Sequence, residues 1–261
     1  MTEFLPSYAG LALQAEVQSL QTLIDHPKRP FVVIVGGAKI SDKLPALQRL
    51  SQIADCILVG GGVANDFLKA EGIEIHKSYL QDTPADLRKE GIDYVQVASQ
   101  LLEEHRHERL LKDGYIPLPK ILYPLDVIAA QTSTVDSIES TQIIDLTHDM
   151  ADTANDLDLQ YLDIGPKTRR LFSEIIRTAH TTFWNGPMGV WENPLFAAGS
   201  KAVATAMTHC QYAVVGGGDT IAAVDSFKLT KKFEYVSLAG GATLEFLGGT
   251  QLPGLQPLLL Q

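Results

Sequence analysis

The sequence predicts an α/β fold: a doubly wound, mainly parallel sheet of about six core strands flanked by helices, three-layered and Rossmann-like, with a small β excursion around 131–160. Two observations carry this. Four short apolar runs end in glycines just before a helix-like stretch: 31–35 into Gly36-Gly37, 56–59 into Gly60-Gly61-Gly62, 212–215 into Gly216-Gly217-Gly218, and 235–238 into Gly240-Gly241. Runs that are apolar throughout belong to strands buried on both faces, as in a parallel sheet covered by helices.

Residues from about 7 to 23 read as an amphipathic helix with Ala9, Leu11, Leu13, Val17, Leu20 and Leu23 on or near one face. The segment from Pro27 to Pro30 breaks it before the first strand. A helix from Ser41 or Asp42 to about Ile53 leads to the second strand, and 63–70 form a short helix behind its glycines. Residues 73–91 are polar and turn-rich, and 93–111 read as a long helix with charged outer positions. The stretch 121–130, which contains Pro124, reads as a strand passing into a loop. Residues 131–160 are rich in Ser, Thr and Asp, with isolated strand signals such as 141–146, and suggest a small antiparallel ribbon. Beyond Asp163-Ile164-Gly165-Pro166 the alternation resumes, with helices over 168–177, 194–207, 220–227 and 242–247 and strands over 180–184, 212–215 and 234–238. The run Leu258-Leu259-Leu260 would prefer a surface to pack against.

The composition narrows the function classes. With 261 residues and 45% hydrophobic content, the chain can bury the core of one large domain. A formal charge of −10 argues against a nucleic-acid or anionic-membrane surface. Cys56 and Cys210 sit beside strand-like runs, as buried free thiols in a reducing compartment would. No run approaches the roughly 20 apolar residues of a membrane span. The start, Met1-Thr2-Glu3-Phe4, has neither a basic segment nor an apolar signal core, so the expected location is the cytoplasm.

Three motifs carry chemistry. Glycines at strand ends let a ligand approach the backbone, and the helix that follows offers free N–H groups to an anion. Four such turns could be tight connections only, but Lys39 and Asp219 beside them favour a nucleotide. Gly36-Gly37-Ala38-Lys39-Ile40-Ser41-Asp42-Lys43 lacks the spacing of a Walker A loop, and no G-x-G-x-x-G follows the first strand. Ser41 or Asp42 can cap the helix, with Pro45 in its first turn. Lys39 and Lys43 then lie where a helix N-terminus disfavours cations, so phosphate contacts explain them better than surface solvation does. In Gly216-Gly217-Gly218-Asp219-Thr220 the aspartate is either an N-cap or a partner for Mg²⁺, and Thr220 offers an N–H and a hydroxyl to phosphates. In Phe183-Trp184-Asn185-Gly186-Pro187-Met188-Gly189-Val190-Trp191-Glu192, Gly and Pro fix a turn that leaves Asn185 and Glu192 free to hydrogen-bond. A carboxylate there suits ribose hydroxyls, whereas Trp191 reads as core. His105 and His107 at i, i+2 do not share a helix face and do not form a metal pair.

The motifs GGAKISDK, GGGVANDFLKAEG, DIGPKT, FWNGPMGVWE and GGGDT, in this order, closely resemble phosphoglycerate kinase, specifically its C-terminal, nucleotide-binding half. The resemblance implies an interdomain-type helix over 1–26, a nucleotide-binding α/β domain over 27–250 and a C-terminal tail over 251–261. It also implies that the half with the basic cluster for 3-phosphoglycerate lies outside this chain, through a truncated gene, a split gene or an incomplete sequence. The implied reaction is reversible phosphoryl transfer between 1,3-bisphosphoglycerate and ADP with Mg²⁺, and the implied partners are ADP and ATP. By the same resemblance, Lys39 neutralises the phosphoryl group in flight, Lys43 holds the nucleotide phosphates and Glu192 takes the ribose. Asp219 takes the metal-nucleotide, while Gly217, Gly218 and Thr220 face the phosphates. Gly165 and Asn185 border the nucleotide, and Gly240 and Gly241 face the transferred group. One departure stands out: the family's Ser-Thr-Gly-Gly-Gly-Ala-Ser turn is Ser237-Leu238-Ala239-Gly240-Gly241-Ala242-Thr243 here. A non-catalytic nucleotide-binding module is the competing reading.

Overall fold

The computed structural model describes residues 7–81, 91–107, 109–110, 118–131, 141–147 and 158–259. In chain order its first elements are α1 (Leu11–Asp25), β1 (Phe31–Val35), α2 (Leu44–Ile53), β2 (Cys56–Val59), α3 (Val63–Ala70), α4 (Tyr94–Glu104), β3 (Arg109–Leu110), β4 (Leu118–Pro119), β5 (Ile121–Leu122), β6 (Asp126–Ala130) and β7 (Gln142–Asp145). Then follow β8 (Gln160–Ile164), α5 (Pro166–Thr178), β9 (Thr181–Asn185), α6 (Ala198–Met207), β10 (Tyr212–Gly216), α7 (Gly218–Ser226), β11 (Tyr235–Val236), α8 (Gly241–Leu247) and α9 (Gln256–Leu259).

Six strands form one sheet in the order β11-β10-β9-β1-β2-β5, and every pairing is parallel. From β1 the chain winds outward through β2 to β5, returns to β9 on the other flank of β1, and winds outward again to β10 and β11. The direction therefore reverses between β1 and β9, which opens a crevice at their carboxyl ends. Strand alternation explains the two covering layers. Phe31, Val33, Val35, Ile57 and Val59 pack with Leu20 and Leu23 of α1, Leu47 and Leu50 of α2, Phe67 of α3 and Leu101 of α4. Val32, Ile34, Leu58, Trp184 and Val215 pack with Phe172 and Ile176 of α5, Val203 and Met207 of α6 and Val224 of α7. Each fully buried side chain of this kind is worth about 1.5–3 kcal/mol.

The stretch 121–130 is two strands rather than one. Ile121–Leu122 ends the main sheet, and beyond Pro124, which has no N–H for a ladder, β6 enters a second, antiparallel sheet of order β7-β6-β8. The excursion thus forms around β6, with β8 as a strand the sequence reading did not anticipate. Residues 132–140 and 148–157 of it lie outside the described residues.

Several boundaries shift. α1 begins at Leu11, and while Leu20 and Leu23 are buried, Leu11 is 84% exposed. α2 starts at Leu44 with Lys43 as N-cap, so neither Ser41 nor Asp42 caps it; Ser41 instead accepts a hydrogen bond from the Gln81 amide at 2.9 Å. α4 is capped by Asp93, whose carboxylate accepts from Gln96 N at 3.0 Å, and it ends at Glu104, well short of 111. The 194–207 segment divides into a 3₁₀ turn (Pro194–Phe196) and α6. The tail contributes α9, and Leu255 and Leu258 are half-buried along a groove lined by Leu13 and Val17 of α1 and by Phe246; Leu260 lies outside the described residues. Both cysteines are free. Cys56 is fully buried, which pushes its thiol up to about 12, and Cys210 is half-buried. No helix among the described residues is long and apolar enough to cross a membrane.

Candidate functional site

The crevice is a cleft of about 400 Å³ between the carboxyl edge of the main sheet and the antiparallel sheet. Its lining includes Gly37, Ala38, Gly61, Gly62, Leu162, Asp163, Ile164, Pro187 to Val190, Glu192 and Asp219.

The turns behind β1, β2 and β9 are packed backbone against backbone. Gly37 N donates to Pro187 O at 2.7 Å, Gly36 N to Asn185 O at 2.9 Å, and Gly61 N to Met188 O at 3.1 Å. A Cβ at Gly36 or Gly186 would fall far inside contact distance of the facing carbonyl oxygens. These glycines therefore serve turn-on-turn packing, a correction to the expectation that every strand-end glycine admits a ligand. Gly218, Gly240 and Gly241 differ, because a Cβ on any of them would meet nothing within 4 Å.

Lys43 is buried; its ammonium donates to Lys39 O at 3.2 Å and lies beside Gly37. Burial lowers its pKa, against the opposing pull of the Asp42 and Asp219 carboxylates. Lys43 and Asp219 are thus electrostatic neighbours, while Lys39 is exposed; Asp219 lines the cleft and neither lysine does. Asp219 does not cap: it is the second residue of α7, whose N-cap is Gly217 at φ 89°. The Asn185 side chain is buried, and its Nδ2 has no hydrogen-bond partner among the described residues. A Cβ on Gly217 would lie 2.8 Å from that nitrogen, so only glycine lets the amide face the start of α7. Thr220 is fully buried and its hydroxyl accepts from Gly186 N at 2.7 Å, so it locks the β9 and β10 turns together rather than projecting freely into the cleft. Gly165 lies outside the cleft lining; its missing Cβ makes room for the Asp126 carboxylate, which accepts from Lys167 N and Thr168 N at 2.9 and 2.8 Å. Glu192 is exposed in the cleft wall.

One residue escaped the sequence reading. Asp163 lines the cleft, is buried, and accepts from Gly199 N at 2.7 Å and Ile164 N at 2.9 Å. Burial pushes its carboxyl up to about 7, against the two backbone bonds and Arg169. Only its DIGPKT context signalled it, because its partner in α6 lies 36 positions away.

No group of three or more His, Cys, Asp or Glu able to hold a metal occurs among the described residues. The lone Asp219 carboxylate suits Mg²⁺ that arrives on phosphates, since that ion combines one or two carboxylates with phosphate oxygens and water.

Fold and cleft define the class: a doubly wound α/β protein with a cleft at its topological switch point. The family model "Phosphoglycerate kinase" matches residues 1–250, and the chain belongs to the phosphoglycerate kinase family. It is 39% identical over 261 residues to a phosphoglycerate kinase of Roseiflexus sp. (strain RS-1), covering 99% of this chain and 59% of that protein. It is 38% identical over 257 residues to one from Pelotomaculum thermopropionicum, covering 98% of this chain and 58% of that protein. The structure of phosphoglycerate kinase from Coxiella burnetii superposes with a TM-score of 0.82 at 34% identity, covering 97% of this chain and 58% of that one. The Pyrococcus horikoshii enzyme gives 0.77 at 28%, covering 99% and 59%. The chain thus spans less than two thirds of the length of these relatives.

Proposed function

We propose that this chain binds ADP and ATP with Mg²⁺ in the switch-point cleft and serves as the nucleotide-binding half of a phosphoglycerate kinase. The reaction is reversible phosphoryl transfer between 1,3-bisphosphoglycerate and ADP, giving 3-phosphoglycerate and ATP. The observation that carries the reading is the buried Asn185 amide, whose Nδ2 has no partner among the described residues and faces the open start of α7. An unmet buried donor beside free helix N–H groups is a place for an anion.

In this reading Gly217, Gly218 and the Asn185 amide hold nucleotide phosphates, together with Lys43. Thr220 supports them by holding the Gly186 turn, Glu192 takes the ribose, and Gly165 acts one step back from the nucleotide by leaving room for the Asp126 carboxylate at the start of α5. Asp219 faces the metal-nucleotide, whose Mg²⁺ supplies neutralising charge. Lys39, Gly240 and Gly241 stabilise the transferring group by charge and N–H donation, since phosphoryl transfer is governed by positioning and electrostatics. Turnover further requires the part that holds 3-phosphoglycerate, because near-attack geometry of both substrates is worth roughly 7–11 kcal/mol of barrier.

Calorimetric titration tests this. Saturable MgADP binding that weakens in Asp219→Ala supports the site, and no heat at millimolar ADP with a folded chain defeats it. A second reading, a nucleotide-binding module without phosphotransfer, is favoured by Leu238, an apolar side chain 82% exposed where the family carries a hydroxyl. ATP-dependent consumption of 3-phosphoglycerate after addition of a family N-terminal half separates the two.

A further inference from the structure

We propose that Asp163 is a positioning residue for the cleft: its carboxylate bonds the far end of the 189–199 loop at Gly199 and sits against the near end at Gly189, and so fixes the wall that carries Trp191 and Glu192. The inference rests on the nucleotide reading only for its binding consequence.

The geometry is specific. At the far end of the loop, Gly199 N donates to Asp163 Oδ2 at 2.7 Å. Ala197, the N-cap of α6, has no side chain able to cap, so Asp163 supplies the missing acceptor from β8. At the near end, a Cβ on Gly189 would lie 2.6 Å from Asp163 Oδ1, and one on Gly199 would fall still closer. Both glycines therefore keep the carboxylate's place open. Val190 N adds a bond to Leu162 O at 2.9 Å, which stitches the same loop to the same strand. Leu162, Asp163, Val190 and Glu192 all line the cleft.

Among the described residues the charged surroundings are few. Arg169 of α5 draws the carboxyl down against burial. Asp126 of β6 is occupied by the start of α5, Lys201 of α6 is exposed, and Glu192 and Asp219 line the same cleft. The carboxyl therefore changes charge near pH 7 while sitting between two segments of the wall. The ionised form accepts the Gly199 N–H as a charge-assisted bond and the protonated form as a weaker neutral one.

The test uses the full chain and Asp163→Asn, which keeps the shape and one acceptor oxygen. Tryptophan emission of the nucleotide-free protein is followed from about pH 5.5 to about 8.5, with Trp191→Phe as the reporter control, and MgADP affinity is measured across the same range. Wild type is expected to show an emission transition centred near 7. That transition should vanish in Asp163→Asn and in Trp191→Phe. MgADP affinity should rise roughly fivefold through it in wild type and stay flat in Asp163→Asn. Loss of the transition in Asp163→Asn without MgADP binding by either protein would keep the inference and sink the nucleotide reading. An emission transition that persists in Asp163→Asn, or is absent from wild type, overturns the inference. So does a MgADP pH profile in Asp163→Asn that matches wild type.

Discussion

Replacing Glu16 by alanine should uncouple α1 from the edge of the sheet. The Glu16 carboxylate accepts from Tyr235 OH at 2.9 Å, from Leu238 N at 3.2 Å and from the Ser237 hydroxyl. It thereby ties α1 to β11 and to the turn that opens α8. Hydrogen bonds to a charged acceptor contribute about 1.5–3 kcal/mol each when buried, less where water competes. Tyr235 and Leu238 can turn to water, whereas the hydroxyl of the fully buried Ser237 is left with Thr243 Oγ1 at 2.5 Å among the described residues. The net loss is therefore about 2–3 kcal/mol, or a fall in Tm of about 5–10 °C for a domain of this size. Urea unfolding followed by circular dichroism reads it, and Glu16→Gln should lose about half as much. A second readout is spectroscopic: burial and the Glu16 bond push the Tyr235 phenol up to about 12, and the alanine variant should ionise at lower pH. Stability of Glu16→Ala within about 0.5 kcal/mol of wild type, the range of a neutral surface change, would refute this account of how α1 is held.

Three further outcomes concern the cleft. Gly186→Ala forces a Cβ into the Gly36 carbonyl at φ 91° and should destabilise by at least 2 kcal/mol, about the cost of packing and backbone strain together; Gly218→Ala, which meets nothing within 4 Å, should melt like wild type but bind MgADP less tightly. Because the Asp163 carboxyl is raised from 3.8 to about 7, its contribution to stability is complete below 3.8 and is lost as pH rises through 7. Measured against Asp163→Asn by urea unfolding, wild type should lose about 2–3 kcal/mol between pH 5 and pH 8, and parallel pH dependence would contradict the assignment.

The main sheet was legible at 31–35, 56–59 and 212–215, whose runs are apolar throughout, whereas β9, with Thr181, Thr182 and Asn185, was placed by the α/β alternation alone. The fourth apolar run, 235–238, overstates its strand: only Tyr235–Val236 pair, half-buried, and Leu238 is 82% exposed. β8 was not: Gln160 and Tyr161 are only half-buried, and the strand forms because β6 pairs with it. β6 itself looked continuous with β5, since nothing local distinguishes the two sheets beyond Pro124. At the site, the motifs marked the right turns but not the division of labour among glycines. Gly36 and Gly186 serve each other, a relation across about 150 positions of chain that spacing does not encode. Asp163 and Glu16 were invisible for the same reason, because their partners at Gly199 and Tyr235 are brought near only by winding the sheet.

The central claim is that the crevice between β1 and β9 is the nucleotide site, and hydrogen exchange with and without saturating MgADP tests it most directly. Protection should appear together in three separated segments, 36–43, 185–192 and 217–220, which the Gly36–Asn185, Gly37–Pro187 and Gly186–Thr220 bonds bring together at that crevice. Protection confined to other surfaces, such as the groove between α1 and the tail, or no change anywhere in the folded chain, would contradict the account.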